Sequence, residues 1–149
     1  EAVAEWVNKF FERIVGVVDV EFVDYHPYKS SKEMIQRVKD EGVLLISTAD
    51  AEHPIFDAET NAKFRAVHDF GGHVQRKVPF SYTGELKAYN AHVKMIPPAA
   101  VPAMFSEVVG QISCFYFSYI FLFFNIIFIY FFKLFAISIR QITTNMRTH

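Results

Sequence analysis

Apolar side chains recur at helical spacing in the first segment of the chain and alternate with acidic residues in the next. Within residues 2–15, Val3, Trp6 and Phe10 follow one another at intervals of three and four, which predicts an amphipathic helix. Residues 17–23 read Val-Val-Asp-Val-Glu-Phe-Val, and this period of two predicts a half-buried strand. The chain is therefore expected to begin with a helix followed by a strand.

Polar and glycine signals mark the next two elements. Residues 30–33, Ser-Ser-Lys-Glu, match a capping box, so we expect a helix from there to about Glu41. Gly42 follows directly and can end that helix. The apolar run at 43–47 is short, which predicts a buried strand.

A third helix is expected after a polar loop. Asp57 can cap a helix over 58–70, and Gly71-Gly72 would end it. Residues 74–83 are expected to be irregular because Pro79 lacks the N–H that a central strand would need.

Two more helices complete the predicted body. One is expected over 85–96, where Pro97-Pro98 would end it, and the other over about 101–113. The order helix, strand, helix, strand and then three helices indicates an α+β fold, with a small sheet of about two strands and a mostly helical second half. We expect a single domain over residues 1–114.

The segment after this domain has a different composition. Residues 112–132 form an uncharged, mostly apolar run of 21 residues, long enough to span a bilayer as one helix. From Phe115 to Phe135, however, every residue except Ser118 belongs to the six types encodable by codons of A and T alone. That pattern favours translation of AT-rich DNA past a frameshift or gene end. A membrane anchor and a buried core helix stay open, and residues 115–149 are expected to lie outside the fold.

Charge and cysteine content narrow the classes of function. Residues 1–114 contain 12 basic and 16 acidic residues, a net charge of −4, which argues against a dedicated nucleic-acid surface. Cys114 is the single cysteine, so neither an intrachain disulfide nor a cysteine zinc cage is possible. This fits a reducing compartment, and we expect a cytoplasmic protein unless residues 112–132 anchor it in a membrane.

Two histidines and an aspartate surround the glycine pair at the end of the third predicted helix. His68 and His73 are five residues apart, which is about 140° of rotation on an unbroken α-helix and not one face. Glycines that adopt positive φ could turn the chain back and bring the imidazoles together. Asp69 would then be a ligand, a partner that orients an imidazole, or a helix cap.

Further candidate residues lie on the last two predicted helices. Glu85 and His92 are seven residues apart and share one helix face, which would line a polar cleft or face solvent. Glu107 lies among apolar neighbours, either as a solvated edge residue or as a paired site residue. Arg65 is three residues before His68 and would keep it neutral or hold an anionic ligand.

These residues also carry a resemblance. His53-Pro54, the run 61–73, the run 80–85, His92 and the run 107–111 together resemble a group of uncharacterised proteins from phage and environmental sequence sets. The similarity would cover about residues 43–114. It implies that these polar residues form a shared site, and it implies no reaction.

The His68-Asp69 pair is similar to the motif of HD-type metal phosphohydrolases, which are helical. Their pattern includes a separate upstream histidine and a downstream aspartate. His53 could serve as the first, but no aspartate follows Asp69 in this chain.

The leading hypothesis is a metal-binding site that could hydrolyse a small molecule or a phosphoester. The metal ligands are predicted to be His68, His73, Glu85 and His92, and the catalytic residues Asp69 and Glu107. Zinc, iron and manganese suit such ligands. Two alternatives are a non-enzymatic phage or host-interaction protein, in which the polar network is structural, and a protein anchored in the membrane by a single span.

Overall fold

The computed structural model describes residues 2–49, 52–53 and 56–118. Over these residues it contains five α-helices and a small two-stranded parallel sheet, which confirms the predicted α+β class. The helices are α1 (Ala2–Ile14), α2 (Ser31–Glu41), α3 (Ala58–His68), α4 (Tyr82–His92) and α5 (Val101–Met104), and the strands are β1 (Asp19–Val23) and β2 (Val43–Ser47).

The two strands are parallel neighbours in the sheet, and helix α2 connects them. Asp19 is opposite Val43, and the register continues to Val23 opposite Ser47. The backbone N–H of Leu45 donates a hydrogen bond of 2.8 Å to the hydroxyl of Tyr28. The carboxyl end of β2, at Ser47, forms part of the cleft described below.

The predicted caps of α2 and α3 are present. Ser30 accepts a hydrogen bond of 3.3 Å from the backbone N–H of Glu33, and Gly42 ends α2 with a φ of 71°. Asp57 accepts a hydrogen bond of 2.7 Å from the backbone N–H of Thr60 at the start of α3. Each cap satisfies a backbone group that the helix itself leaves unbonded.

A core between α1, α3 and β2 supports these elements. Trp6 and Val7 of α1, Val67 of α3 and Ile46 of β2 are all buried within it. Burying each such side chain contributes roughly 1.5–3 kcal/mol.

The predicted end of the third helix at Gly71-Gly72 is wrong. The chain continues past His68 as six residues of π-helix, Asp69–Val74, here called the first π segment. Neither glycine has a positive φ, and the N–H of Gln75 bonds to the carbonyl of Phe70, five residues earlier, at 2.9 Å. Gly72 serves close packing against α4 rather than chain reversal.

Helix α4 also begins and ends earlier than predicted. Its N-cap is Ser81, which accepts a hydrogen bond of 3.2 Å from the N–H of Gly84, and it ends at His92 instead of residue 96. Gly84 therefore lies inside the first turn. A side chain at Gly84 would overlap the carbonyl oxygen of Pro79, so glycine is required for this close approach.

The last predicted helix contains three kinds of helical turn. A 3-10 turn at Pro98–Ala100 leads into α5, and a second π segment follows at Phe105–Gly110. Met104 and Val108 of this region are buried in the core. Among the described residues one helix, Pro98–Ser118, has the length and composition of a membrane span, although only 22% of its most apolar window is buried.

Contacts divide the chain into the units Glu1–Ile112 and Ser113–His149. The domain boundary after residue 114 stays a prediction. From residue 119 onward, the predicted apolar segment and C-terminal tail lie outside the described residues.

Candidate metal centre

Three predicted ligands meet at one point. The Nε2 atoms of His68 and His73 are 3.1 Å apart. Glu85 places one carboxylate oxygen 3.1 Å from Nε2 of His68 and the other 3.3 Å from Nε2 of His73. We call this the His–His–Glu cluster, and among the described residues it is the group whose ligand atoms all lie within 4.8 Å of one another.

The first π segment explains how the two histidines share a face. Backbone hydrogen bonds in a π-helix join residues five apart, so side chains at that spacing lie above one another. His68 ends α3 and His73 lies in the π segment, and the 140° separation expected on an α-helix does not apply.

Glu85 reaches the histidines because α4 packs closely on the first π segment. A side chain at Gly72 would lie 2.9 Å from Cβ of Ala88 and 3.2 Å from Nε2 of His92. Only glycine allows the two backbones to come this near. The approach brings Glu85, in the first turn of α4, within bonding distance of both imidazoles.

The hydrogen bonding of His73 fixes its tautomer. Its ring is fully buried, and Nδ1 lies 3.1 Å from the carbonyl oxygen of Val78. Because a carbonyl oxygen only accepts, Nδ1 must carry the hydrogen. In a neutral His73, Nε2 therefore presents a lone pair to Glu85, and the two electron-rich groups need a positive charge between them. A proton on His73 or a bound cation supplies it.

The electrostatics of the cluster agree with this requirement. Burial by itself would raise the pKa of Glu85, but hydrogen bonds from His68 and His73 outweigh it and lower that pKa to about 2. Burial by itself would lower the pKa of His73, yet the bond to Glu85 raises that pKa above its usual value. Glu85 is thus an ionised carboxylate, as a metal ligand must be.

The separations between the two imidazole nitrogens and the carboxylate oxygens of Glu85 suit a small divalent ion. Metal–ligand bonds of about 2.0–2.1 Å place two ligand atoms about 3.4 Å apart at tetrahedral angles and about 3.0 Å apart at right angles. The observed separations lie between these values: 3.1 Å between the two nitrogens, and 3.1 and 3.3 Å from His68 and His73 to different oxygens of Glu85. An ion could therefore bind with little movement of the side chains.

The cluster opens into a cleft of about 330 Å³. Phe64, Phe80 and Val108 form apolar parts of its wall. Its ionisable side chains are Arg65, His68, Asp69, His73, Glu85 and Glu107. The cleft is large enough for a small ligand beside the three cluster atoms.

Two other predicted site residues lie next to the cluster without joining it. Asp69 lines the cleft, and burial raises the pKa of its carboxyl although His68 and His73 act in the opposite direction. His92 is buried, and its ring centre lies 5.4 Å from that of His68. Its role as a fourth ligand stays a prediction.

Glu107 lines the same cleft and forms a pair that the sequence pattern did not indicate. Its Oε2 lies 2.8 Å from Nε2 of His53, and both side chains are almost buried. The pair spans 54 positions, so no local spacing could reveal it. The sequence signals for His53 were its places in the two resemblances, to the uncharacterised group and to the HD-type pattern.

Arg65 occupies a structural position at the edge of the cleft. Its Nη1 donates hydrogen bonds of 2.8 and 3.0 Å to the carbonyls of Ser47 and Ala49. These bonds tie α3 to the end of β2. Arg65 therefore helps to fix the helix that carries His68.

The donor atoms of the cluster determine which ligands it can bind. Two imidazoles and a carboxylate can hold a divalent ion while the cleft leaves a coordination position for water or substrate. Comparison of the chain with protein-family models, with curated proteins and with solved structures finds no significant match. The geometry of the His–His–Glu cluster is thus the observation on which a functional inference rests.

Proposed function

We propose that this protein binds a divalent metal ion at the His–His–Glu cluster and uses it to hydrolyse a small ester or phosphoester. The observation that carries the proposal is the convergence of His68, His73 and Glu85 at the wall of an open cleft. Catalytic metal sites commonly have three protein ligands and one position left for water, whereas structural sites are closed by four.

The charge balance of the cluster supports cation binding, because a cation would remove a repulsion between two of its groups. A lone pair of His73 and the ionised carboxylate of Glu85 face each other at 3.3 Å. In the metal-free protein, a proton on His73 relieves the repulsion. A divalent ion would replace that proton and bind all three groups at once, so metal binding should release protons.

The donor set limits the identity of the metal. Two imidazole nitrogens and a carboxylate suit zinc, iron or manganese, because hard oxygen-only ligands would instead favour magnesium or calcium. The bond from Nδ1 of His73 to Val78 orients the ring and raises its basicity, as partners of metal-bound histidines commonly do.

Hydrolysis is the reaction that the open cleft supports best. A divalent ion can lower the pKa of a bound water to about 7 and polarise a carbonyl or phosphoryl oxygen. The aromatic walls at Phe64 and Phe80 can hold the apolar part of a substrate beside the ion. The acyl or phosphoryl group would then lie next to the activated water.

The first test is metal binding by the full-length protein and by Glu85→Gln. We expect one zinc ion per wild-type chain by metal analysis and calorimetry, and at least a 100-fold loss of affinity, as an order of magnitude, in the variant. Glutamine keeps the size of the side chain while removing its charge. Cobalt substitution would report the coordination geometry by its visible spectrum.

Controls separate a ligand effect from a general loss of structure. His26→Ala removes a histidine outside the cleft and should bind zinc like the wild type. Circular dichroism should show that Glu85→Gln keeps its helices. If the folded wild-type protein binds none of the three metals zinc, iron and manganese, the cluster is a structural hydrogen-bond network.

A further inference from the structure

Glu107 is nearly buried, whereas most carboxylates are exposed to solvent. Its side chain is only 11% exposed, it lies on the second π segment, and it lines the cleft that holds the His–His–Glu cluster. Burying a carboxylate costs free energy unless specific partners stabilise it. The hydrogen-bond donors around Glu107 are therefore the groups that stabilise its buried carboxylate.

Two donors hold one oxygen of Glu107. Oε2 accepts a hydrogen bond of 2.8 Å from Nε2 of His53 and one of 2.6 Å from the side-chain amide of Gln111. On the far side of the His53 ring, Nδ1 accepts the N–H of Phe56 at 2.9 Å. Because Nδ1 accepts, the hydrogen of a neutral His53 must be on Nε2, so the ring donates to Glu107.

Packing fixes the His53 ring as well. It stacks on Phe56 with a centroid distance of 4.7 Å and an angle of 13° between the planes. The ring thus has one orientation and one tautomer, both of which direct a hydrogen bond at Glu107. The carboxylate of Glu107 is thus held in a fixed orientation at the wall of the cleft.

We propose that Glu107 is the general base, and then the general acid, of the hydrolysis, and that His53 is its positioning residue. The inference rests on the proposed function, since it assigns the proton transfers of that reaction. Glu107 is not a member of the metal-ligand cluster, so its carboxylate can exchange protons across the cleft without leaving an ion short of a ligand.

The proton transfers balance with one water per ester. Glu107 would take a proton from a water in the cleft, and the water oxygen would bond to the carbonyl carbon or phosphorus of the substrate; an ion at the His–His–Glu cluster would supply the activation of that water. The bond to the leaving alkoxide then breaks, and the alkoxide takes the proton from Glu107. The products are an acid and an alcohol, and Glu107 returns to its carboxylate form.

The test uses the full-length protein loaded with zinc and two probe substrates, 4-nitrophenyl acetate and bis(4-nitrophenyl) phosphate. We expect Glu107→Gln to lower kcat by about 100-fold or more while zinc affinity stays at the wild-type value. Added formate should restore part of the rate to Glu107→Ala, because a small carboxylate can enter the space left by the side chain.

A matched pair of variants tests His53. Phenylalanine keeps the stacking on Phe56 but cannot donate, whereas glutamine keeps a donor near the position of Nε2. We expect His53→Phe to lower kcat about tenfold with little change in KM, and His53→Gln to recover most of that loss. A merely structural role would give the two variants similar kinetics.

The outcomes distinguish the two proposals. A wild-type protein that binds zinc but hydrolyses neither probe overturns the hydrolytic function, and the role of Glu107 with it. Wild-type hydrolysis that persists in Glu107→Gln, or a Glu107→Ala rate that formate leaves unchanged, overturns the role of Glu107 alone.

Discussion

His92 shows how the environment of a single side chain controls its protonation. It is 1% exposed, and neither ring nitrogen has a hydrogen-bond partner within the part of the chain that is described. The ring of Trp6 packs edge-on against that of His92, with 5.7 Å between the ring centroids. Burial, together with the neighbouring imidazole of His68, lowers the pKa of His92 to about 3. The ring is therefore neutral in the folded protein.

This depressed pKa predicts a loss of stability in mild acid. In the unfolded chain His92 takes up a proton as the pH falls through about 6.5, but in the folded protein it does not until about pH 3. Between those values the unfolded state binds more protons than the folded state, so the free energy of unfolding decreases as the pH is lowered. For the metal-free protein we expect His92 to contribute a loss of about 2 kcal/mol between pH 7.5 and pH 5.

His92→Phe provides the comparison, because it keeps a ring but cannot titrate. Urea unfolding at both pH values, with a chelator present, should show that the variant loses less stability than the wild type between pH 7.5 and pH 5. Glu85 does not interfere, since its lowered pKa affects stability only below about pH 4.5. The raised pKa of His73 acts in the opposite direction to that of His92, but it is common to both proteins. Equal pH dependence in the two proteins would show that His92 is not held neutral by the fold.

At the scale of elements, the contact between the first π segment and α4 determines the site. Gly71 and Gly72 are adjacent, but only Gly72 is pressed against α4. A Cβ at Gly72 would lie 2.9 Å from Ala88, whereas one at Gly71 would lie 3.4 Å from Cε1 of His92, an ordinary contact. The two glycines thus differ in what they permit.

We expect Gly72→Ala to destabilise the protein by about 1–3 kcal/mol, because the extra methyl group forces α4 away from the π segment. The same movement should weaken zinc binding, since Glu85 lies on α4. Gly71→Ala is the matched control and should have little effect on either property. Thermal unfolding and zinc titration of both variants would test this, and equal effects of the two substitutions would contradict it.

Sequence signals predicted the elements best where the physical cause is local. Ser30, Gly42 and Asp57 bond to, or shape, backbone within four residues of themselves, so their caps were predictable. The end of α3 was not, because the close contact of Gly72 with α4 depends on tertiary packing. The cap at Ser81 was not predictable either, because a glycine inside the first turn is explained only by the close approach of Gly84 to Pro79.

The same limit applied to the site. His68, His73 and Glu85 were predicted as ligands from residue type and proximity along the chain, although their shared face came from π geometry and not from positive φ. The bond between His53 and Glu107 joins distant segments and has no periodic signature. Pairings of that kind require the fold to be known.

At the scale of the whole molecule, the cluster, the cleft and the core all belong to the unit Glu1–Ile112. We therefore predict that a chain ending at residue 114 folds and binds zinc. At zinc concentrations 100 times the Kd, binding should stabilise the folded state by about 2.7 kcal/mol and raise the Tm by roughly 10 °C.

His68→Ala in the same shortened chain is the control for a specific effect, since nonspecific binding of zinc would not need that imidazole. Its Tm should not rise with zinc. A shortened chain without a cooperative thermal transition would show that residues beyond 114 are needed for folding.

The six π-helical residues after α3 have a wider consequence for recognising metal proteins. Sequence patterns for helical histidine pairs assume a gap of three residues, which is correct only for the regular 3.6-residue turn. Here a gap of four, containing two glycines, produces the same pairing. Pattern searches that admit His-x4-His across a glycine pair would also find paired imidazoles of this kind.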